Sequence, residues 1–502
     1  MTRLTYLNLG SNSFNGTIPK SIGSLIELRY LDLSYNFLIG NIPPEIGNLT
    51  NLRNLSLGRG AYYAIGTMVE NLDWLSNLSH LQHLDMYGVS LAKANRWVDV
   101  ILSLPKLSYL SLSRCDLSEV IYPYSSFVNS SSSSIGSLQL TQNSLNSSMY
   151  RWLFALTSNR LVSLDLSYNM LDGVPKYHGN LCSLTSLNLH GNSAVVNFPD
   201  FLNNLSGCTS VTLQELYASG NQFTGSLSDE IQKFSSLKRL KLPYNQLNGT
   251  ISEKVWELHK LEYLDISSNS LRGVTSENIG NSKLWHLDLS NNPLEVIPSQ
   301  GHVLNISYVE YMDLRNCKLG PVFPKWIQAH KNLTTLNIAN TRISDTIPAE
   351  FWKTWPSRLT YLNLSSNNIS GEVSDLSSNF GLYSEIDLSS NNLHGPIQNV
   401  PPTLILLNLS KNIFYGGISF LCQVVDGFLS FLDLSQNFLT GQLPDCLSHF
   451  KELEVLNLGH NNLSGKIPAS IGHLVQLMVL HLYNNSLSGE LPSALKNCTK
   501  LN

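Results

Sequence analysis

Leucines return along this chain at a fixed phase. In LEVLNLGHNNLSGKIPASIGHL, residues 453–474, the side chains of Leu453, Leu456, Leu458, Leu463, Ile467 and Ile471 share one side only if 456–458 is a short strand running into a tight turn. Asn461 falls in that turn. The preceding copy, LDLSQNFLTGQLPDCLSHF from Leu432, and the following one, LHLYNNSLSGELPSALKN from Leu480, put Asn437 and Asn485 at the same point, 24 residues away in each case. One strand and one returning segment per unit predict an α/β solenoid with a parallel sheet along one face.

The turn position can be followed from end to end. It reads Asn12, Asn36, Gly60, Val89, Cys115, Asn143, Asn169, Asn192, Asn221, Asn245, Asn269, Asn292, Cys317, Thr341, Asn367, Asn391, Asn412, Asn437, Asn461 and Asn485. That makes about twenty units at a mean step of about 25 residues, inside the leucine-rich repeat range. Backbone groups at such a turn lack a ladder partner and are shut away from water. A buried asparagine amide satisfies a donor and an acceptor at once, so stacked asparagines form a polar rail through an apolar core. Cys115 and Cys317 fit the slot as small buried residues with a weak donor, and Thr341 keeps a hydroxyl. Gly60 and Val89 offer neither. There the step stretches to 29 residues and GRGAYYAIGTMVENLDWL departs from the repeat, which predicts a looped-out insertion with Trp74 and Trp97 on its flank. A serine run, Ser130–Ser134, lengthens another connection, and a second 29-residue step runs from Asn192 to Asn221. The leucine phase resumes after each, so 1–502 reads as one solenoid with irregular insertions near 58–100, 120–135 and 193–212.

Composition narrows the function. Lys+Arg is 32 against Asp+Glu 36, for a net charge of -4, so no nucleic-acid partner is expected. Seven cysteines are too few for a disulfide-built scaffold. No apolar run reaches about 18 residues, so no transmembrane helix and no membrane contact is expected from the chain itself. Met1 leads directly into TRLTYLNLGSN, already a repeat, and Leu501 and Asn502 stop where the next strand should begin. The expectation is a chain cut within the array at both ends, with no signal peptide and no caps. Catalysis finds no foothold, so no enzyme and no cofactor is expected. The 13 histidines are scattered through the repeat, and no Cys/His cluster has metal spacing. GHNNLSGK, residues 459–466, has five residues between its glycines and reads as a repeat turn, not a phosphate loop.

After the turn comes G-x-I/L-P, as in Gly16-Thr17-Ile18-Pro19, Gly40-Asn41-Ile42-Pro43, Gly441-Gln442-Leu443-Pro444, Gly465-Lys466-Ile467-Pro468 and Gly489-Glu490-Leu491-Pro492. Glycine permits the bend, and proline stops the extended segment from pairing further. With this motif the chain resembles the plant-specific leucine-rich repeat family along essentially its whole length. The resemblance implies a second short sheet at the G-x-I-P step, a twisted superhelix and an extracellular location. NLDWLSNLSHLQHLDMYGVSLAKANRWVDVILSLPKLSYLSLSRCDL and LPDCLSHFKELEVLNLGHNNLSGKIPASIGHLVQLMVLHLYNNSLSGELPSALKNCTKL resemble plant receptor-like proteins of the fungal-xylanase-receptor and scab-resistance type. Those are kinase-lacking cell-surface receptors with a single membrane helix. The resemblance implies a peptide or protein ligand, a co-receptor kinase in the full-length form, and the outer side of the plasma membrane. On this resemblance the expectation is that the signal peptide, the caps, the late non-repeat island and the helix of those proteins have no counterpart within these residues.

Sixteen N-x-S/T triplets are candidate glycosylation acceptors, at Asn15, Asn48, Asn54, Asn77, Asn129, Asn146, Asn204, Asn248, Asn305, Asn332, Asn363, Asn368, Asn408, Asn462, Asn484 and Asn497. Asn363 and Asn408 stand out because they occupy the solvent-facing middle of LNLS strands. Cys422 and Cys446 lie 24 apart at equivalent points of adjacent units. Neighbouring repeats stack about 5 Å apart, so a disulfide is expected there. Cys182 and Cys208 differ in phase and make a weaker pair.

Residues alternating with the strand leucines face solvent on the concave side. One such column carries Tyr6, Tyr30, His83, Tyr109, Tyr263, His286, Tyr311 and Tyr361, and the next is mostly Asp or Asn, as at Asp265, Asp288 and Asp313. Twenty strands at about 4.8 Å give a track of about 90 Å, long enough for an extended peptide or a protein flank. Aligned tyrosines also stabilise strands by cross-strand packing. Departures from the repeat average are more informative. Glu215, Tyr217, Arg239, Lys241 and Arg315, with Tyr263, His286 and Tyr311, mark a predicted ligand footprint between Glu215 and Arg315. Three readings follow: the ligand-sensing ectodomain of a defence receptor-like protein, a secreted inhibitor of a microbial wall-degrading enzyme, or an inert truncated copy. The inhibitors are similar in repeat but have about ten units, so twenty argue against them.

Overall fold

The computed structural model describes residues 3–58, 67–117, 133–150, 153, 156, 158–173, 181–275, 283–296, 308–354, 358–373, 376, 380–424 and 427–501. Contacts gather into two compact units, Met1–Asn248 and Gly249–Asn502. In the first, ten short parallel strands run from Tyr6–Asn8 to Arg239–Lys241. Their register matches repeat to repeat, so Tyr6 lies beside Tyr30 and Tyr30 beside Asn54. In the second, ten run from Tyr263–Asp265 to Val479–His481, with Tyr263 beside His286 and His286 beside Tyr311. Alternation puts the middle leucine inward: Leu31, Leu55 and Leu84 in the first unit and Leu264, Leu432 and Leu456 in the second have no exposed surface. The flanking residues face out.

The asparagine rail is built as the turn chemistry requires. Asn461 Nδ2 donates to Leu434 O in the preceding repeat at 2.9 Å and to Leu458 O in its own at 3.2 Å, while its Oδ1 accepts from Leu439 N at 3.0 Å. Asn292, Asn367, Asn391, Asn412, Asn437 and Asn485 repeat this pattern in the second unit. Asn269 donates to Ile266 O in its own turn. Asn36, Asn143, Asn169, Asn192, Asn221 and Asn245 repeat it in the first unit. Asn12 is exposed and bonds to Leu9 O and Gly10 O of its own turn. The substituted slots use other atoms. Cys115 Sγ lies 3.1 Å from Met86 O, Cys317 Sγ 3.3 Å from Leu289 O, and Thr341 Oγ1 donates to Ile338 O at 2.8 Å. Where the amide is missing the backbone moves in as acceptor: Leu91 N donates to Cys115 O at 2.9 Å and Leu319 N to Thr341 O at 3.0 Å. Val89 is fully buried and its N–H closes onto Met86 O, whereas Gly60 lies outside the described residues.

The returning segments are mostly single 3₁₀ turns. Pro468, with φ -69° and ψ 146°, holds the chain extended ahead of the turn Ala469–His473. These turns stack closely at the Ile-Gly pair, where a Cβ on Gly472 would come 2.4 Å from Ala494 O. The second short sheet expected at the G-x-I-P step is present. Several of its strands begin right after the rail and reach the glycine or the residue beyond it, as in Asn462–Gly465 and Phe438–Gln442, in both cases short of the proline, which has no N–H to donate. In the second unit it includes a six-stranded run from Ser370–Glu372 to Ser486–Leu487, and in the first unit two-stranded pieces such as Asn15–Gly16 with Phe37–Leu38.

Helices accompany two of the irregular stretches, and residues 59–66, where the first leaves the repeat, lie outside the described residues. Trp97 opens the helix Trp97–Leu102 and is fully buried, and Trp74 is 6% exposed, so these tryptophans belong to the core of the first unit and not to the flank of a loop. The step from Asn192 to Asn221 is filled by the helices Phe198–Leu205 and Thr209–Thr212, with Phe198, Phe201 and Phe223 packed on one another. Most of the predicted 120–135 insertion lies outside the described residues.

Candidate functional site

Seven of the eight predicted footprint residues sit on main-sheet strands, four in the first unit and three in the second, and Arg315 lies in the turn just after the strand Tyr311–Asp313. In the first unit Glu215 and Arg239 are adjacent in register and form an ion pair at 3.0 Å, and Lys241 Nζ stands 5.6 Å from the Tyr217 ring centroid. Ser186 Oγ donates to the other Glu215 oxygen at 3.1 Å. This mixed-charge window is thus partly matched within itself, and an exposed pair of this kind adds about 0–1 kcal/mol to stability.

In the second unit Tyr263, His286 and Tyr311 form a continuous stack, with ring centroids 3.9 and 4.1 Å apart and planes within 9°. Tyr6 with Tyr30, and His83 with Tyr109, stack likewise in the first. Each stack braces neighbouring strands and leaves its ring edges toward solvent. Arg315 Nε lies 3.4 Å from Asp313 Oδ2.

The acidic column does two jobs, and one of them was hidden from sequence reading. Asp32, Asp165, Asp265, Asp288, Asp313, Asp387 and Asp433 each accept through Oδ1 the backbone N–H two residues on, closing the end of their strand. Asparagine does the same at Asn363 and Asn408. The second carboxylate oxygen takes a neighbour in several repeats: Asp165 Oδ2 accepts from Asn188 Nδ2, Asp433 Oδ2 from Asn457 Nδ2, and Asp313 Oδ2 from Asn337 Nδ2. Burial raises the pKa of Asp288 to about 6, helped by the like charges of Asp313 and Asp265 and opposed by the Ser290 hydrogen bonds. Burial likewise raises Asp313, and it raises the Tyr311 phenol, with Asp288 and Asp313 adding to that effect.

Sequence reasoning also missed Trp285. It stands edge-on to Tyr263 and His286, 5.5 Å from each, and is 38% exposed. Its only signal was a tryptophan at a position where the repeat usually has a polar residue. A second rail lies outside the first, where Asn316 Nδ2 reaches Asn291 Oδ1 at 2.5 Å and Asn340 Nδ2 reaches Asn316 Oδ1 at 2.7 Å. It spans the slots in which Cys317 and Thr341 replace the inner amide.

Cys422 and Cys446 are joined by a disulfide, and so are Cys182 and Cys208. The helices of the insertion bring Cys208 back beside Cys182, which is why the phase of the repeat gave no warning. Of the candidate acceptors, Asn15, Asn48, Asn77, Asn146, Asn248, Asn368, Asn462, Asn484 and Asn497 are exposed. Asn54, Asn204, Asn332, Asn363 and Asn408 are half-buried, and Asn129 and Asn305 lie outside the described residues. Among the described residues no group of His, Cys, Asp or Glu could hold a metal ion, and no helix is long and apolar enough to cross a membrane.

Stacked parallel strands, a buried asparagine rail and G-x-I-P returns define a leucine-rich repeat protein. The leucine-rich repeat family matches residues 429–487 and, repeat by repeat, 3–25, 27–49, 212–234, 260–282, 283–302, 332–354 and 358–380. Two Solanum lycopersicum proteins are similar over most of the chain. Receptor-like protein EIX2 is 34% identical over 463 residues, covering 72% of this chain and 45% of the relative, and Receptor-like protein EIX1 is 36% identical over 500 residues, covering 80% and 45%. Among solved structures, the plant peptide hormone receptor RGFR1 in complex with RGF2 has a TM-score of 0.68 and 27% identity, covering 100% of this chain and 81% of that one. The chain is a leucine-rich repeat protein similar to plant receptor-like proteins, and it spans about 45% of the length of these two relatives.

Proposed function

We propose that the chain is the ligand-binding part of the ectodomain of a plant cell-surface receptor-like protein acting in defence signalling. The open face of the main sheet grips an extended peptide or the flank of a protein, on the outer side of the plasma membrane, and the full-length receptor then engages a co-receptor kinase. The observation that carries this reading is the second unit's face, where Tyr263, His286 and Tyr311 are stacked in register beside Asp288 and Asp313. A wall of rigid aromatic edges and fixed carboxylates is already ordered, so a ligand loses little side-chain entropy by meeting it. The likeness to a plant peptide hormone receptor in complex with RGF2 supports a peptide ligand.

The test is selection of binders from a displayed peptide library on the purified protein, followed by hydrogen–deuterium exchange with a selected peptide. Protection should concentrate on the strands from Glu215 to Arg315. In the same assay the combined replacement Arg239→Ala, Lys241→Ala and Tyr311→Ala should weaken binding at least tenfold, about 1.4 kcal/mol. Protection confined to the 3₁₀ turns, or unchanged affinity, would overturn the reading.

A further inference from the structure

At the margin of the second unit's main sheet the 38%-exposed Trp285 lies in backbone register between Glu262 and Glu310. Trp285 N donates to Glu262 O at 3.0 Å and Glu310 N donates to Trp285 O at 2.9 Å, so the three residues occupy equivalent points on adjacent repeats. That spacing is about 5 Å per step. Trp285 is held in place by its edge-on contacts with Tyr263 and His286. Among the described residues neither Glu262 nor Glu310 has an ion-pair partner. Three residues further along, Asp288 is 9% exposed and is hydrogen-bonded by Ser290, whose N–H donates to Oδ1 at 2.9 Å. Its in-register neighbours are Asp265 and Asp313, the latter paired with Arg315, so the second oxygen of a nine-tenths-buried carboxylate has acids on both sides. Its raised pKa fits that surrounding.

We propose that this margin is an arginine subsite, in which the guanidinium of an extended peptide lies on the Trp285 indole between the carboxylates of Glu262 and Glu310. Only a flat cation uses all three groups together. A guanidinium stacks face-on against an indole while its in-plane N–H groups reach carboxylates on either side, whereas an ammonium does one or the other. Asp288 then offers a second acid to a basic group farther along the same peptide. An acidic segment would meet like charge at every one of these positions. The inference rests on the reading of the open face as a peptide-binding surface and adds to it the chemistry of one position.

The experiment uses fluorescently labelled hexa-arginine, hexa-lysine and hexa-glutamate peptides, with anisotropy titrations against the purified chain at about 0.15 M salt, where long-range attraction is largely screened. Hexa-arginine should bind several-fold tighter than hexa-lysine, and hexa-glutamate should not bind. Trp285→Ala should weaken hexa-arginine about fivefold or more, Trp285→Phe less, as expected for loss of a partly desolvated cation–π contact. Glu262→Gln with Glu310→Gln should weaken it comparably. These glutamates lie outside the buried core, so that arm stands even if Trp285→Ala fails to fold. Glu490→Gln, an exposed acid in the last repeat, should change nothing. Equal affinity for the arginine and lysine peptides together with indifference to the Glu262 and Glu310 changes would overturn the subsite. If hexa-arginine fails to bind while library-selected peptides still bind the open face, the subsite falls and the peptide-binding reading survives. If no peptide of any kind binds, both fall.

Discussion

Replacing Asn437 by alanine isolates the contribution of one rung of the rail. Asn437 is 7% exposed; its Nδ2 donates to Leu409 O, Leu434 O and Ser435 O at 3.0–3.1 Å, and its Oδ1 accepts from Phe414 N at 3.0 Å. The two leucine carbonyls keep a second donor each, from Asn412 and Asn461, so they are not stranded. Phe414 N–H has no such reserve. An orphaned buried N–H costs about 1–3 kcal/mol, and the weakened carbonyl bonds add about 0.5–1.5 kcal/mol, for an expected loss of about 2–4 kcal/mol. Native-state hydrogen exchange reads this directly. If local opening governs exchange, the Phe414 amide should exchange about thirtyfold to a thousandfold faster, since each 1.4 kcal/mol is a factor of ten. Asn437→Thr should fall in between, because a hydroxyl in this slot still reaches a carbonyl, as Thr341 Oγ1 does with Ile338 O. Unchanged exchange at Phe414, with stability within about 0.5 kcal/mol of the parent, would refute the assignment of the amide as that turn's acceptor.

Other consequences are open to shorter tests. Gly472→Ala brings a methyl group against Ala494 O, and thermal unfolding should show a loss of about 1–3 kcal/mol as the last repeats are pushed apart. Peptide mapping without reduction should recover Cys422 linked to Cys446. Replacing both by serine should cost about 3 kcal/mol in the loop-entropy account, and a loss below about 1 kcal/mol would contradict it. Asp288 has a folded pKa raised to about 6, above the unfolded carboxylate value, so its contribution is full below about pH 4 and disappears as the pH climbs through 6. Asp288→Asn should therefore flatten the fall in melting temperature between pH 4 and 7, and an unaltered slope would count against the buried, acid-flanked setting described for it.

Much of the fold could be read from the sequence because it is dictated by short-range periodicity. The leucine phase located the strands, and the turn asparagines marked their ends correctly even at the cysteine and threonine substitutions. What escaped had its cause outside the repeat. Trp97 looked like flank because its segment broke the phase, yet a six-residue helix buries it. Cys208 seemed out of step with Cys182 because two helices absorb the extra residues between them. The aspartates were legible as an outward column, but their hold on the N–H two residues on depends on backbone direction at the strand end. The same holds for the residues just before the rail, such as Tyr35, Lys411 and His460, which adopt φ of 52–54° although none is glycine. The turn fixes that conformation, and side-chain preference does not reveal it. Of the ligand face, single residues were visible; the stack of Tyr263, His286 and Tyr311 required the register, and Trp285 required knowing which residues precede each strand.

The rail has a consequence for how such a chain can change over generations. Asn192 and Asn221 are 29 residues apart and Asn391 and Asn412 only 21, yet Asn221 and Asn412 receive the same kind of backbone N–H, from Ala194 at 3.2 Å and from Leu393 at 3.0 Å. The length of the outer arc thus drops out of the geometry of the inner wall. Whole repeats can be gained, lost or traded between gene copies with only the immediate neighbours affected. New specificities can then arise by reshuffling columns of exposed side chains while the buried thread of amides stays intact.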